Sequence, residues 1–209
     1  SLINALKQRD YRISILSTNK HQDLIFKNIK TYHWNPSAGV LDEKAFKGVD
    51  TIISLAGAKI NQRWTNKNKR SIFDSRVKGT QLIQDALKNN PDHSISHFIS
   101  ASAIGLYPSD YEKIYSEKEN KISDSFAGRV VFSWEKQVKA LSPFVRHVSI
   151  IRIGLVLANS GGALIPLSTP ASFGLGTWFG SGNQWQSWIH IQDLVQLFIF
   201  TLDNPGIYN

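Results

Sequence analysis

Cysteine is absent from the 209 residues, which excludes disulfides and thiolate metal sites and points to a reducing compartment, most simply the cytoplasm. No apolar run approaches the roughly 20 residues that a membrane helix needs, so the chain is expected to be soluble, with no membrane partner. Methionine is missing as well, even at the first position, and the opening SLINALKQ is already helical in pattern. The sequence therefore reads as a piece of a longer chain. Acid is the scarcer charge: 16 acidic residues face 24 lysines and arginines, for a net charge of +8. That balance suits an anionic partner without identifying it.

What is present alternates between strand and helix. YRISIL, from Tyr11, and the apolar run VDTIISLAGA, from Val49, read as strands, and YHWNPSAGVLDEKAFKG between them, from Tyr32, with Asn35, Pro36 and Gly39 as turn signals, reads as a connector. Thr65 is placed to cap a long amphipathic helix in which Ile72, Arg76, Gly79, Ile83 and Leu87 recur at steps of three and four. SHFISASAIG follows as a strand, RVVFSWEKQVKAL as a helix and HVSIIRIGLVL as a strand. An apolar helix begins near Ile191, with Asp193 as its candidate cap, and GIYN opens a last strand. This order predicts an α/β protein with a parallel sheet.

In such sheets ligands bind beyond the carboxyl ends of the strands. The residues found there are the small turn LAGA, the hydroxyls of Ser100, Ser102 and Tyr107, and Arg152 inside an aliphatic strand, where it needs an anionic partner, either a substrate or a structural carboxylate. GLGTWFG, from Gly174 to Gly180, has no strand before it and reads as a loop over a pocket rather than a phosphate cradle. The six histidines show no metal-ligand spacing, so no metal is expected. Residues 59 to 78 are rich in Lys and Arg, yet nucleic-acid binding would leave the small-residue turns unexplained, and no nucleic-acid partner is expected.

Five blocks, YHWNPSAGVLDEKAFKGVDTIISLAGA, RWTNKNKRSIFDSRVKGTQLI, FISASAIGLY, RIGLVLANSGGAL and FGLGTWFGSGNQWQSWIHIQDLV, together resemble the atypical short-chain dehydrogenase/reductases of the NAD(P)-dependent epimerase-like type. The blocks run in family order across nearly the whole chain. The resemblance implies a Rossmann-type doubly wound parallel sheet over residues 1–160, whose first strand and glycine-rich turn would precede Ser1. It also implies a small substrate-side subdomain over residues 161–209, interleaved with that core.

By the same resemblance, Thr18, Asn19 and Lys20, together with Leu55, Ala56, Gly57 and Lys59, would hold the cofactor. NADP(H) is expected ahead of NAD(H), with Thr18 standing where relatives often carry an arginine and Lys20 as its substitute. Ser102 falls at the superfamily's catalytic hydroxyl. The usual Tyr-x-x-x-Lys pair is missing: counting back from Glu135, its positions hold Ala127 and Val131. Tyr107 and Arg76 are the candidates to replace it, and Arg63, Arg152, Trp188 and His190 would line the substrate side.

The implied function is redox or epimerase chemistry on a small anionic or sugar-like substrate; the rival is a cofactor-binding sensor without turnover. A homodimer through the helices Asn66 to Leu87 and Ala127 to Leu141 is expected by analogy.

Overall fold

The computed structural model describes residues 1–19, 29–159, 161–176 and 181–209. The elements run α1 (Leu2–Lys7), β1 (Ser14–Ser17), β2 (Lys30–Asn35), β3 (Val40–Leu41), β4 (Thr51–Ser54), α2 (Asn66–Asn89), β5 (His97–Ala103), α3 (Phe126–Lys139), β6 (His147–Ile153), β7 (Leu155–Ala158), β8 (Gly161–Gly162), α4 (Leu164–Ser172), β9 (Trp188–His190), α5 (Ile191–Asp203) and β10 (Ile207–Tyr208).

The central sheet has the order β10-β6-β5-β4 and every pairing in it is parallel. β1 pairs with β2 in parallel and β2 with β3 antiparallel. A third small sheet, β8-β7-β9, stands where the chain leaves β6. Parallel strands need crossovers, and here α2 and α3 supply them.

β5 is buried at every position but its last, as a strand covered on both faces must be. Its alternation shows what covers it. Ser102 bonds Glu135 on α3, whereas His97, an odd number of residues away, is hydrogen-bonded to the backbone of Leu202 on α5. Helices thus cover both faces, the doubly wound arrangement expected. The core between them gathers Phe98, Ile99, Ile150 and Ile151 from the sheet, Ile83 and Leu87 from α2, Trp134 and Val138 from α3, and Leu194 and Phe198 from α5. Burying side chains of this size contributes about 1.5–3 kcal/mol each.

Local chemistry fixes the helix starts. The Thr65 hydroxyl accepts the Asn68 amide at 3.3 Å, as its cap position predicts, and Ser125 does the same for Gly128 at 3.0 Å. Gly79 sits mid-helix because a Cβ there would meet the Trp34 ring at 3.1 Å. α2 can therefore lie close against β2.

Three expectations are corrected. The stretch read as a connector, from Tyr32, holds most of β2 and all of β3. HVSIIRIGLVL is two strands, broken at Gly154, where a Cβ would come within 2.6 Å of the Ser187 carbonyl. The cap of α5 is His190, whose Nδ1 accepts the Gln192 amide at 3.4 Å, and Asp193 sits in the first turn instead. Among the described residues no helix is long and apolar enough to cross a membrane, and no group of three His, Cys, Asp or Glu could hold a metal ion.

Candidate functional site

Two cavities open at the carboxyl ends of the parallel strands, and Ala56 and Gly57 belong to the walls of both. The wider, about 480 Å³, runs from Ser17 and Thr18 at the end of β1, past Asn35 and Pro36 at the end of β2, to Ala58 and Ser75. The narrower, about 270 Å³, lies over Ala101, Ser102 and Ala103 of β5 and Ile153 and Gly154 of β6, and α2 and α3 close it from above. LAGA joins them because none of its residues after Leu55 exceeds a methyl group.

Arg76 commands the narrow cavity. It projects from α2 across Gly57, where a Cβ would lie 2.9 Å from the guanidinium carbon; the glycine exists to leave that room. Nη1 donates to the carbonyls of Ile72 at 3.1 Å and Ala58 at 3.3 Å, and the guanidinium lies 5.2 Å from the centre of the Trp134 ring. Burial lowers its pKa from the ordinary arginine value, because desolvation penalises the cation and no carboxylate compensates. Among the described residues Arg76 is the single charged side chain in either cavity wall.

Ser102 belongs to the floor of this cavity but points its proton elsewhere. Its hydroxyl donates to Glu135 Oε1 at 2.6 Å, and Glu135 is gripped from the other side by Arg152, Nε to Oε1 and Nη2 to Oε2, both at 2.8 Å. Ser102, Glu135 and Arg152 are 5%, 3% and 4% exposed. The carboxylate that Arg152 requires is therefore internal. Its hydrogen bonds raise the Arg152 pKa above the ordinary value.

Arg152 Nη1 also donates to the Tyr107 hydroxyl at 2.6 Å, and that oxygen lies 2.9 Å from Asn209 Oδ1 and 3.1 Å from the Ser116 carbonyl. The Tyr107 ring stacks on Tyr115, 5.1 Å between centres. The structure thus links Ser102, Arg152 and Tyr107 in one chain of hydrogen bonds, with Ser102 alone of the three in a cavity wall.

The remaining candidates are spread more widely. Leu55, Ala56 and Gly57 line the narrow cavity and Thr18 the wide one. The Asn19 amide donates to Ser17 Oγ at 3.0 Å in the turn after β1, and Lys20 lies outside the described residues, as does the stretch 177–180 of the glycine-rich loop. Lys59 and Arg63 are exposed on the loop before α2 and are in neither wall. Trp188, 63% exposed on β9, and His190, at the α5 cap, also lie outside both walls.

Sequence reasoning left out Glu135 as the hub of the buried network and Trp134 beneath the guanidinium. Its available signal was an acid on the apolar face of α3, matched to an arginine in an aliphatic strand. Ala127 and Val131 both face the narrow cavity, so the positions counted for the missing Tyr and Lys are wall positions with no polar atom.

Residues 1–138 match the NAD dependent epimerase/dehydratase family. The chain belongs to that family. An epimerase family protein of Staphylococcus haemolyticus is 37% identical over 205 residues, covering 98% of this chain and 67% of that protein; one from Staphylococcus aureus is 34% identical over the same span. Among solved structures, a human epimerase family protein crystallised with NADPH superposes with a TM-score of 0.77 at 23% identity, over 99% of this chain and 68% of that one. The UDP-glucuronic acid 4-epimerase of Bacillus cereus, crystallised with UDP-glucuronic acid and NAD, gives 0.80 at 19%, over 99% and 71%. These likenesses share the fold of this family member.

Proposed function

We propose that this family member binds a nicotinamide dinucleotide in the wide cavity, its nicotinamide end reaching the pinch at Ala56 and Gly57, and carries out oxidoreductase or epimerase chemistry on a small substrate in the narrow one. The observation that carries the proposal is the continuous cleft across the carboxyl ends of β1, β4, β5 and β6, pinched at Ala56 and Gly57 and governed, among the described residues, by one unneutralised cation. An elongated anionic ligand fits those features. The wide cavity, about 480 Å³, is on the scale of ligand sites, and the small residues at the pinch allow a flat group to touch the main chain.

Thr18, Asn35 and Ser75 would hold the adenosine end and Ala56 and Gly57 the nicotinamide end. NADP(H) is favoured over NAD(H) because Ser17, Thr18 and Asn19, at the end of β1, offer no carboxylate to repel a 2′-phosphate. When bound, the nicotinamide supplies or accepts hydride. Arg76 orients the reacting partner. Ser102, its own proton held by Glu135, presents lone pairs to the cleft and accepts from a substrate hydroxyl. A proton arriving at Ser102 is matched by passage of the Ser102 proton to Glu135. Tyr107 acts through Arg152, as a positioning residue.

A second reading, a binding module without turnover, is favoured by Ala127 and Val131 in the wall, where no Tyr or Lys handles a proton. One titration series separates these readings. Binding of NADPH and NADH is followed by energy transfer from tryptophan, Trp34 and Trp134 lying in the two walls. Tight binding followed by consumption with a substrate supports the enzyme; binding with no consumption across a broad panel supports the module; binding of neither overturns both.

A further inference from the structure

We infer that the narrow cavity is built for a compact, largely apolar carboxylate and not for a sugar. The inference rests on the proposed function for the wider cleft and adds the chemical class of the group beside it.

The wall is the first observation. Leu55, Ile60, Ile72, Phe126, Val130 and Val131 are among the residues that line it, and among the described residues the polar side chains there are those of Arg76, Ser102 and the indole of Trp134. A hexose brings several hydroxyls, each of which needs a partner when it leaves water. Ser102 offers lone pairs only, since its proton is committed to Glu135 at 2.6 Å. Most sugar hydroxyls would be buried unpaired.

Arg76 is the second. Nη1 is spent on the carbonyls of Ile72 and Ala58, and among the described residues Nε and Nη2 have no protein acceptor. Those two nitrogens form one edge of the guanidinium fork, the geometry that matches the two oxygens of a carboxylate. Trp134 and the two carbonyls hold the fork in place before any ligand arrives. A phosphate would bring a third oxygen to a wall with no second cation and no free hydroxyl proton. The planar monoanion is the better fit, and its apolar body meets the aliphatic wall.

Size is the third. At about 270 Å³ the cavity lies below the usual range for ligand pockets, about 300–1,000 Å³, so the occupant is small.

The test uses calorimetry on the protein saturated with whichever dinucleotide binds. Cyclohexanecarboxylate is compared with cyclohexanecarboxamide, which lacks the charge, and with glucuronate, which keeps the carboxylate but adds hydroxyls. The acid is expected to bind about tenfold or more tighter than either. In Arg76→Gln the acid should fall to the level of the amide, and in Arg76→Lys, with the charge kept and the fork lost, it should lie between. Equal binding of acid and amide in the wild-type chain, or tighter binding of glucuronate, overturns the inference without any variant. Should no dinucleotide bind, the reading of function falls, and the acid-against-amide comparison is then made on the free protein and judges the carboxylate site by itself.

Discussion

The hydroxyl of Ser102 and the Nε of Arg152 converge on one oxygen of Glu135, at 2.6 and 2.8 Å. Three polar side chains, each at most 5% exposed, thereby satisfy one another inside the fold, and the guanidinium reaches on to Tyr107. The arrangement fixes which way Ser102 points.

Removing the hub should be costly. Glu135→Ala leaves Arg152 charged and buried without a counter-ion, a situation that costs about 3–5 kcal/mol. Urea unfolding would register the loss. Glu135→Leu combined with Arg152→Met, which removes both charges, should recover most of it; a single variant as stable as the wild type would show the pair to be idle.

Gly57 offers a way to damage the site and spare the fold. An alanine methyl there would meet the tip of the Arg76 side chain at 2.9 Å, and the far end of a long side chain can move aside. Gly57→Ala should change stability by less than about 1 kcal/mol, helped by reduced freedom of the unfolded chain. Cleft affinity for the dinucleotide or the acid probe should fall about tenfold, the scale of a misplaced charge-assisted bond. Unchanged affinity would mean that the position of Arg76 does not matter.

Much of the fold was legible because its central elements carry strong patterns. The apolar runs of β4, β5 and β6 and the three- and four-residue recurrence in α2 and α3 leave little choice of element. β2 escaped notice because KTYHWN mixes polar and aromatic residues and runs straight into the turn signal Asn35-Pro36. α4 was hidden by Pro166 and Pro170, and the break between β6 and β7 by aliphatic residues on both sides of Gly154. The site was legible as a set of residue types after strands, not as a set of contacts. Arg152 announced its need for an anion, but the partner stands 17 positions away on another element, and Asn209 is 102 positions from Tyr107.

Stability should fall on mild acidification. His97 is 4% exposed, with Nε2 2.8 Å from Ser149 Oγ, which also accepts the Gly206 amide at 3.0 Å. Burial, then the charge of His147, holds its pKa below the ordinary 6.5, partly opposed by a hydrogen bond to the Leu202 backbone. The unfolded chain therefore binds the proton more readily than the folded one. Its contribution is fully present above 6.5 and is lost as pH falls through the folded-state value, with a slope of at most about 1.4 kcal/mol per pH unit. Urea midpoints at pH about 7.5 and about 5.5 would show the decline. In His97→Gln, which keeps a polar group near Ser149 but cannot titrate, the decline should be smaller; an equal decline would assign the effect to other groups.

Gly154 tests whether the chain beyond β6 shapes the narrow cavity. It lines that cavity, and its missing Cβ would stand 2.6 Å from the carbonyl oxygen and 3.1 Å from the carbonyl carbon of Ser187. The same oxygen accepts the Leu155 amide at 2.8 Å, beside the pairing of β7 with β9. Main-chain atoms held in a sheet cannot swing aside, so Gly154→Ala must displace β9 or strain β6, at about 1–3 kcal/mol. Because the collision is with backbone, Ser187→Gly should not rescue it. The acid probe, which meets this wall, should lose affinity, while the dinucleotide, held mainly from β1 to the LAGA turn, should keep most of its own. Rescue by Ser187→Gly would place the contact in the side chain and refute the backbone explanation for the break between β6 and β7.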